Sequence, residues 1–137
     1  MWIGRDAEVL LRRMAKQFPA VLVTGARQTG KTSLLRHLFP KASYLSLDLP
    51  ANAEAAQTAA ERLLNRYPPP VIIDEIQYAP ALLRHLRIRI DEDRKRAGRY
   101  LLTGSLILSV LSTIFILGGS CTIARIHPRR FPRCGAY

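Results

Sequence analysis

The sequence predicts an α/β fold, three α-β-α layers around a parallel sheet, and three observations predict it. An apolar run, Val21-Leu22-Val23, passes through Thr24 and a glycine-bearing turn into a stretch of helical spacing, Ser33 to Phe39. A second apolar run, Val71-Ile72-Ile73, follows the break at Pro68-Pro69-Pro70 and ends in Asp74-Glu75. Short apolar runs alternate with longer amphipathic stretches along the chain, as happens when parallel strands are covered by helices on both faces.

In chain order, Ala7 to Phe18 spaces Val9, Leu10, Met14 and Phe18 near helical intervals between Arg12, Arg13, Lys16 and Gln17. This predicts an amphipathic helix packed beside the sheet and ended by Pro19. After the first strand and its helix, Pro40 closes the unit, and Tyr44-Leu45-Ser46-Leu47-Asp48 alternates as a second strand. Asp48 is expected to cap the next helix, with a place near the site as the alternative. Ala51 to Arg66 is Ala-rich and suits one helix crossing back over the sheet. Beyond Asp74-Glu75-Ile76-Gln77, Pro80 suits the first turn of a helix carrying Leu82, Leu83, Leu86 and Ile90. Its solvated end is Asp91 to Arg96, and Gly98 stops it. Tyr100-Leu101-Leu102-Thr103-Gly104-Ser105 then reads as a fourth strand ending in small polar residues.

The chemistry lies in the turn after the first strand. Gly25-Ala26-Arg27-Gln28-Thr29-Gly30-Lys31-Thr32 has the form G-x-x-x-x-G-K-T, followed by Ser33. Glycines let backbone N–H groups and a helix N-terminus face a phosphate, Lys31 adds a point charge, and Thr32 offers a hydroxyl to Mg²⁺. The pattern is a P-loop, or Walker A motif, and points to a nucleoside triphosphate, with ATP and Mg²⁺ as the expected ligands. Val71-Ile72-Ile73-Asp74-Glu75 has the form of a Walker B element. Asp74 is expected to hold the Mg²⁺ shell, and Glu75 to orient or deprotonate an attacking water. The alternative is that Asp74 and Glu75 merely cap the next segment. Ser105 is a candidate sensor of the γ-phosphate and Thr103 a weaker one, with local turn capping as the rival role.

With 137 residues the chain has room for a single core. Charged residues are 23% and hydrophobic residues 48%, which excludes wholesale disorder. The net charge of +11 raises the question of a nucleic-acid or anionic-membrane partner. Yet the excess is mostly scattered Arg without interleaved aromatics, so a nucleic-acid partner is possible but not supported. Cys121 and Cys134 have neither metal-site spacing nor a disulfide framework. No signal-peptide pattern opens the chain, so a cytoplasmic protein is expected.

Gly25 to Thr32, Leu45-Ser46-Leu47-Asp48, Val71 to Gln77 with Pro80, and Leu101-Leu102-Thr103-Gly104-Ser105 together resemble the prokaryotic AAA-like P-loop ATPases whose ATPase domain precedes a C-terminal domain of unknown function. The resemblance covers Arg5 to Ser105 and reads as a truncated N-terminal part of such a protein. It implies the additional-strand P-loop fold, with the Ser105 strand between those of Gly25 and Asp74, and binding of ATP with Mg²⁺. It names no protein partner.

Past Ser105 the sequence departs from the family, which continues with a Gln- and Ser-containing segment, an Ala-Gly-Arg element, a further strand and the second domain. Here residues 106–137 form a divergent tail, apolar and then basic, set off from the P-loop domain at 1–105. Three readings compete. A translated frameshift is favoured by the sudden loss of resemblance. A membrane helix, making the protein membrane-associated, is suggested by the uncharged run from Leu101 to Ala124. A helix or strand completing the open side of the sheet is the third. Arginine fingers usually come from later segments or a neighbouring subunit, and Arg125 has no matching context. The expected function is therefore ATP binding with slow Mg²⁺-dependent hydrolysis; the alternatives are a catalytically inactive nucleotide-binding interaction module and a membrane-anchored protein.

Overall fold

The computed structural model describes residues 5–25, 30–105 and 107–125. Helix α1 (Arg5–Gln17) leads to strand β1 (Ala20–Thr24), and α2 (Lys31–Leu38) to β2 (Ser43–Ser46). Helices α3 (Pro50–Thr58) and α4 (Ala60–Arg66) precede β3 (Val71–Asp74). A 3-10 turn (Ile76–Tyr78) and α5 (Leu82–Glu92) precede β4 (Tyr100–Gly104), and α6 (Ile107–Leu117) leads through Gly118–Ser120 to β5 (Cys121–Arg125). The strands form one sheet in the order β2-β3-β4-β1-β5, every pairing parallel. As expected, β4 lies between β1 and β3.

Alternation along the strands divides the core into two layers. Leu22, Leu45, Val71, Ile73, Tyr100 and Leu102 face α3 to α6, meeting Leu63, Leu64, Leu83, Leu86, Ile90 and Leu117. Val21, Val23, Ile72 and Leu101 face the other way onto Leu11 and Ala15 of α1 and Leu34, Leu35 and Leu38 of α2. Each central strand thus buries both faces, which is why its sequence is continuously apolar rather than alternating.

Four details differ from the sequence reading. In α1 the inward residues are Leu11 and Ala15, whereas Val9 and Leu10 are exposed. Five apolar positions within seven residues leave the helix two faces to choose from, and packing against β1 and β5 selects the one centred on Leu11. The expected single helix from Ala51 to Arg66 is broken at Ala59, which leaves helical geometry at φ −145°, ψ 51°. The break lets Ala56 and then Ala60, Leu63 and Leu64 all reach the core. Asp48 is exposed and does not cap α3, whose N-cap is Leu49; Asn52 instead ties this turn to the Ser46 carbonyl at 2.9 Å. Pro80 lies just ahead of α5, whose N-cap is Ala81.

Residues 107–125 of the apolar tail form a helix and a strand of this same sheet, with β5 paired to β1 from Ala20↔Cys121 to Thr24↔Arg125. α6 is 11 residues long, and no helix among the described residues is long and apolar enough to cross a membrane. The remaining tail residues, 106 and 126–137, lie outside the described residues.

Behind the sheet, Arg99 is only 6% exposed. Its guanidinium donates to the carbonyls of Arg89, Ile90, Asp93 and Arg96 at 3.1, 3.2, 2.6 and 3.2 Å. It thereby satisfies the orphan acceptors at the end of α5 with a cation on the negative end of the helix. Beside it Gly98 adopts φ +71°, and a Cβ there would come within 2.8 Å of the Ala15 carbonyl oxygen. Glycine lets the β4 approach run against the end of α1.

Candidate nucleotide site

All five strands are parallel, so Thr24, Asp74, Gly104 and Arg125 lie at one edge of the sheet, where open α/β sheets bind ligands. Thr24 and Gly25 lead into the loop, and Gly30 is the N-cap of α2 at φ 81°, a left-handed conformation that favours glycine. Ala26, Arg27, Gln28 and Thr29 lie outside the described residues. Lys31 opens α2, is 5% exposed, and folds back so that Nζ donates to the Gly25 carbonyl at 3.2 Å. Thr32 follows on the inner side, while Ser33 is exposed on the same first turn.

Asp74 is the hub. Its Oδ1 accepts from Thr32 Oγ1 at 2.5 Å and from Thr103 Oγ1 at 2.6 Å, and its Oδ2 accepts from Tyr44 Oη at 3.1 Å. Three hydroxyls from three different elements thus converge on one carboxylate. Burial, followed by the Asp74 charge, raises the Tyr44 phenol above its ordinary range. Arg36 lies over the Tyr44 ring, 4.6 Å from its centroid, and fixes the ring from the outer side.

Glu75 follows in a left-handed conformation, φ 61° and ψ 61°, a strained choice for a residue with a Cβ. Its N–H donates to Thr103 Oγ1 at 2.9 Å. Thr103 therefore joins both acidic residues through one hydroxyl. Ser105 Oγ donates to Glu75 Oε1 at 3.1 Å, so the two residues singled out as sensor candidates divide the work between a buried brace, Thr103, and a contact of the Glu75 carboxylate, Ser105.

The donor set suits Mg²⁺, a hard cation that is held by one or two protein oxygens together with phosphate and water. Thr32 Oγ1 and Asp74 Oδ1 already lie 2.5 Å apart, and no cluster of three or more His, Cys, Asp or Glu able to hold a metal exists among the described residues. A softer ion wanting nitrogen or sulfur has no such site there.

A family model described as an AAA domain matches residues 17–132. The chain belongs to the AAA domain family. The match starts at Gln17, the last residue of α1, and runs through α6 and β5, past Ser105, where the sequence was expected to depart from the family. Gly118-Gly119-Ser120 lead directly into β5. Among curated relatives, an uncharacterized protein of Mycobacterium bovis and one of Mycobacterium tuberculosis are each 37% identical to this AAA domain over 102 residues. The alignment takes in 74% of this chain and 23% of each relative. The AAA domain thus spans about a quarter of the length of those proteins.

Two residues of the site escaped the sequence reading. Tyr44 reads in the sequence only as part of the strand alternation, although a tyrosine two positions before the end of the strand neighbouring β3 is placed to reach Asp74. Gln77 Nε2 donates to Glu75 Oε1 at 2.8 Å and to Ser105 Oγ at 3.1 Å. A polar residue two positions after Glu75, in an otherwise apolar turn, was the available signal.

Proposed function

We propose that this AAA domain binds ATP with Mg²⁺ and hydrolyses it slowly. One observation carries the reading: the Thr32 hydroxyl and the Asp74 carboxylate, 42 positions apart in sequence, meet at 2.5 Å beside the N-terminus of α2. Two motifs that each suggest a phosphate site on their own thereby share one location.

In this reading the α2 N-terminus and Lys31 bind the β- and γ-phosphates, Lys31 leaving its Gly25 carbonyl to do so. Thr32 and Asp74 hold Mg²⁺, which neutralises charge on the phosphate oxygens when bound. Glu75 accepts a proton from the attacking water, and the Ser105 hydroxyl contacts the γ-phosphate. Ser33, on the exposed first turn, contributes its N–H to the phosphate cradle with the loop from Gly25 to Gly30.

A fluorescent ATP analogue titrated against wild type and Lys31→Ala, with and without Mg²⁺, tests the reading. Wild type binds, with Mg²⁺ tightening the complex, and Lys31→Ala weakens binding at least tenfold, about 1.4 kcal/mol. Equal affinity for the two proteins overturns the site assignment. Glu75→Gln keeps binding and loses phosphate release; if wild type releases no more phosphate than Glu75→Gln, the domain is a nucleotide-binding module without catalysis.

A further inference from the structure

Gln77 has two amide protons: one goes to Glu75 Oε1 at 2.8 Å, the other to Ser105 Oγ at 3.1 Å. The single Ser105 hydroxyl proton goes to Glu75 Oε1, also at 3.1 Å. Both donors therefore converge on Oε1, and Glu75 Oε2 carries no hydrogen bond from the described residues. The amide orientation is fixed, because turning Gln77 over would aim its oxygen at the carboxylate.

This arrangement is held against two local penalties. Gln77 Oε1 is buried without a partner, a desolvation penalty with no compensating hydrogen bond. Glu75 sits at φ 61°, a further penalty for a residue with a Cβ. A strained backbone and an orphan acceptor within three consecutive residues, both serving the orientation of one carboxylate, are what a site organised for function accumulates.

Resting on the hydrolytic reading above, we infer that Gln77 is a positioning residue: with Ser105 it pins Glu75 by Oε1 and leaves Oε2 free to accept the proton of the attacking water. Without the Gln77 amide, Glu75 keeps only the Ser105 bond and can rotate about its side-chain torsions. When a terminal phosphate draws the Ser105 proton, the Gln77 bond alone holds the carboxylate in place. Gln77 bonds to Glu75 and Ser105 and so acts on turnover rather than on binding.

The test compares wild type, Gln77→Met, Gln77→Leu, Glu75→Gln and the double variant Glu75→Gln/Gln77→Met as full chains, measuring phosphate release at saturating ATP·Mg²⁺ and affinity for the fluorescent ATP analogue. Met keeps the length of the side chain without the amide, and Leu guards against a folding effect peculiar to one replacement. The expected result is a fall in kcat of about ten- to hundredfold for both Gln77 variants, the scale of a misplaced reacting group, with affinity within twofold of wild type. In the Glu75→Gln background the Gln77 change has no further effect, because both act through one carboxylate. A Gln77 variant that turns over like wild type while Glu75→Gln is dead overturns the role of Gln77 alone. A parallel loss of affinity and turnover, or additive effects in the double variant, overturns it in favour of a merely structural role. Wild-type turnover no faster than Glu75→Gln overturns the hydrolytic reading and the role of Gln77 with it.

Discussion

Replacing Thr103 with valine changes almost no volume and removes one hydroxyl, yet the structure requires it to be among the more damaging substitutions in the sheet. Thr103 is fully buried. Its Oγ1 donates to Asp74 Oδ1 at 2.6 Å and accepts the Glu75 N–H at 2.9 Å. Valine loses a hydrogen bond to a charged group, worth about 1.5–3 kcal/mol, and leaves the Glu75 N–H without its acceptor, at about 1 kcal/mol for a half-buried donor. The sum is about 2–4 kcal/mol. Serine keeps the hydroxyl and loses one methyl group, which costs about 1 kcal/mol including a small residual cavity. At an unfolding entropy of about 2.1 cal/mol/K per residue, a chain of 137 residues unfolds with about 0.29 kcal/mol/K. Thr103→Val then lowers Tm by about 7–14 °C and Thr103→Ser by about 3–4 °C.

Thermal and urea unfolding of the full chain, followed by far-ultraviolet circular dichroism, measures both variants. The order of the two, valine worse than serine, carries the argument, because apolar packing alone predicts the reverse. A valine variant as stable as wild type, or more stable than the serine variant, refutes the claim that this hydroxyl braces the two acidic residues.

Arg99→Met removes a buried guanidinium from four carbonyls and is expected to destabilise by about 2–4 kcal/mol in urea unfolding. Arg99→Lys recovers less than half of that, since a point charge cannot span the four acceptors. Cys121 is pushed up to about 12 by burial, so its thiol stays protonated at pH 8 and is alkylated on the order of a thousandfold more slowly in the folded chain than in urea, as read by peptide mass mapping. The Tyr44 phenol is raised by burial and then by the Asp74 charge, so the folded state favours its neutral form. That contribution is complete below the unfolded phenol's pKa of about 10 and is lost as pH rises through the folded value; Tyr44→Phe flattens the loss of Tm in alkaline buffer.

The strands and the two patterns at their ends, Gly25 to Thr32 and Val71 to Glu75, were legible because their signals are local. A continuous apolar run needs no partner to be recognised, and a P-loop carries its glycines, lysine and threonine within eight positions. The face of α1 was misread because Val9, Leu10 and Leu11 are equivalent by composition, and only contact with β1 and β5 separates them. Arg99 reads as one more surface arginine in a chain with a net charge of +11, until the end of α5 is placed over it. The apolar tail was ambiguous for a related reason: an uncharged run fits a membrane span, a buried helix and an edge strand alike. Its described part divides into an 11-residue helix and a five-residue strand at Gly118-Gly119, a boundary that hydropathy does not mark.

What sequence separation hides, sheet register supplies. The donors to Asp74 come from Thr32, Tyr44 and Thr103, which are 42, 30 and 29 positions away. Ser46↔Asp74 and Ile73↔Leu102 fix β2, β3 and β4 side by side, so Tyr44 and Thr103 arrive at the carboxylate with no freedom to slip. A shift of one residue in either pairing would turn every side chain of that strand to the opposite face and exchange core for site. The apolar alternation that stabilises the sheet is therefore also what aligns the polar cluster. It follows that changes in the Asp74 shell should register in unfolding measurements before any nucleotide is added, whereas Gln77, held in a short turn outside the strands, should separate turnover from stability.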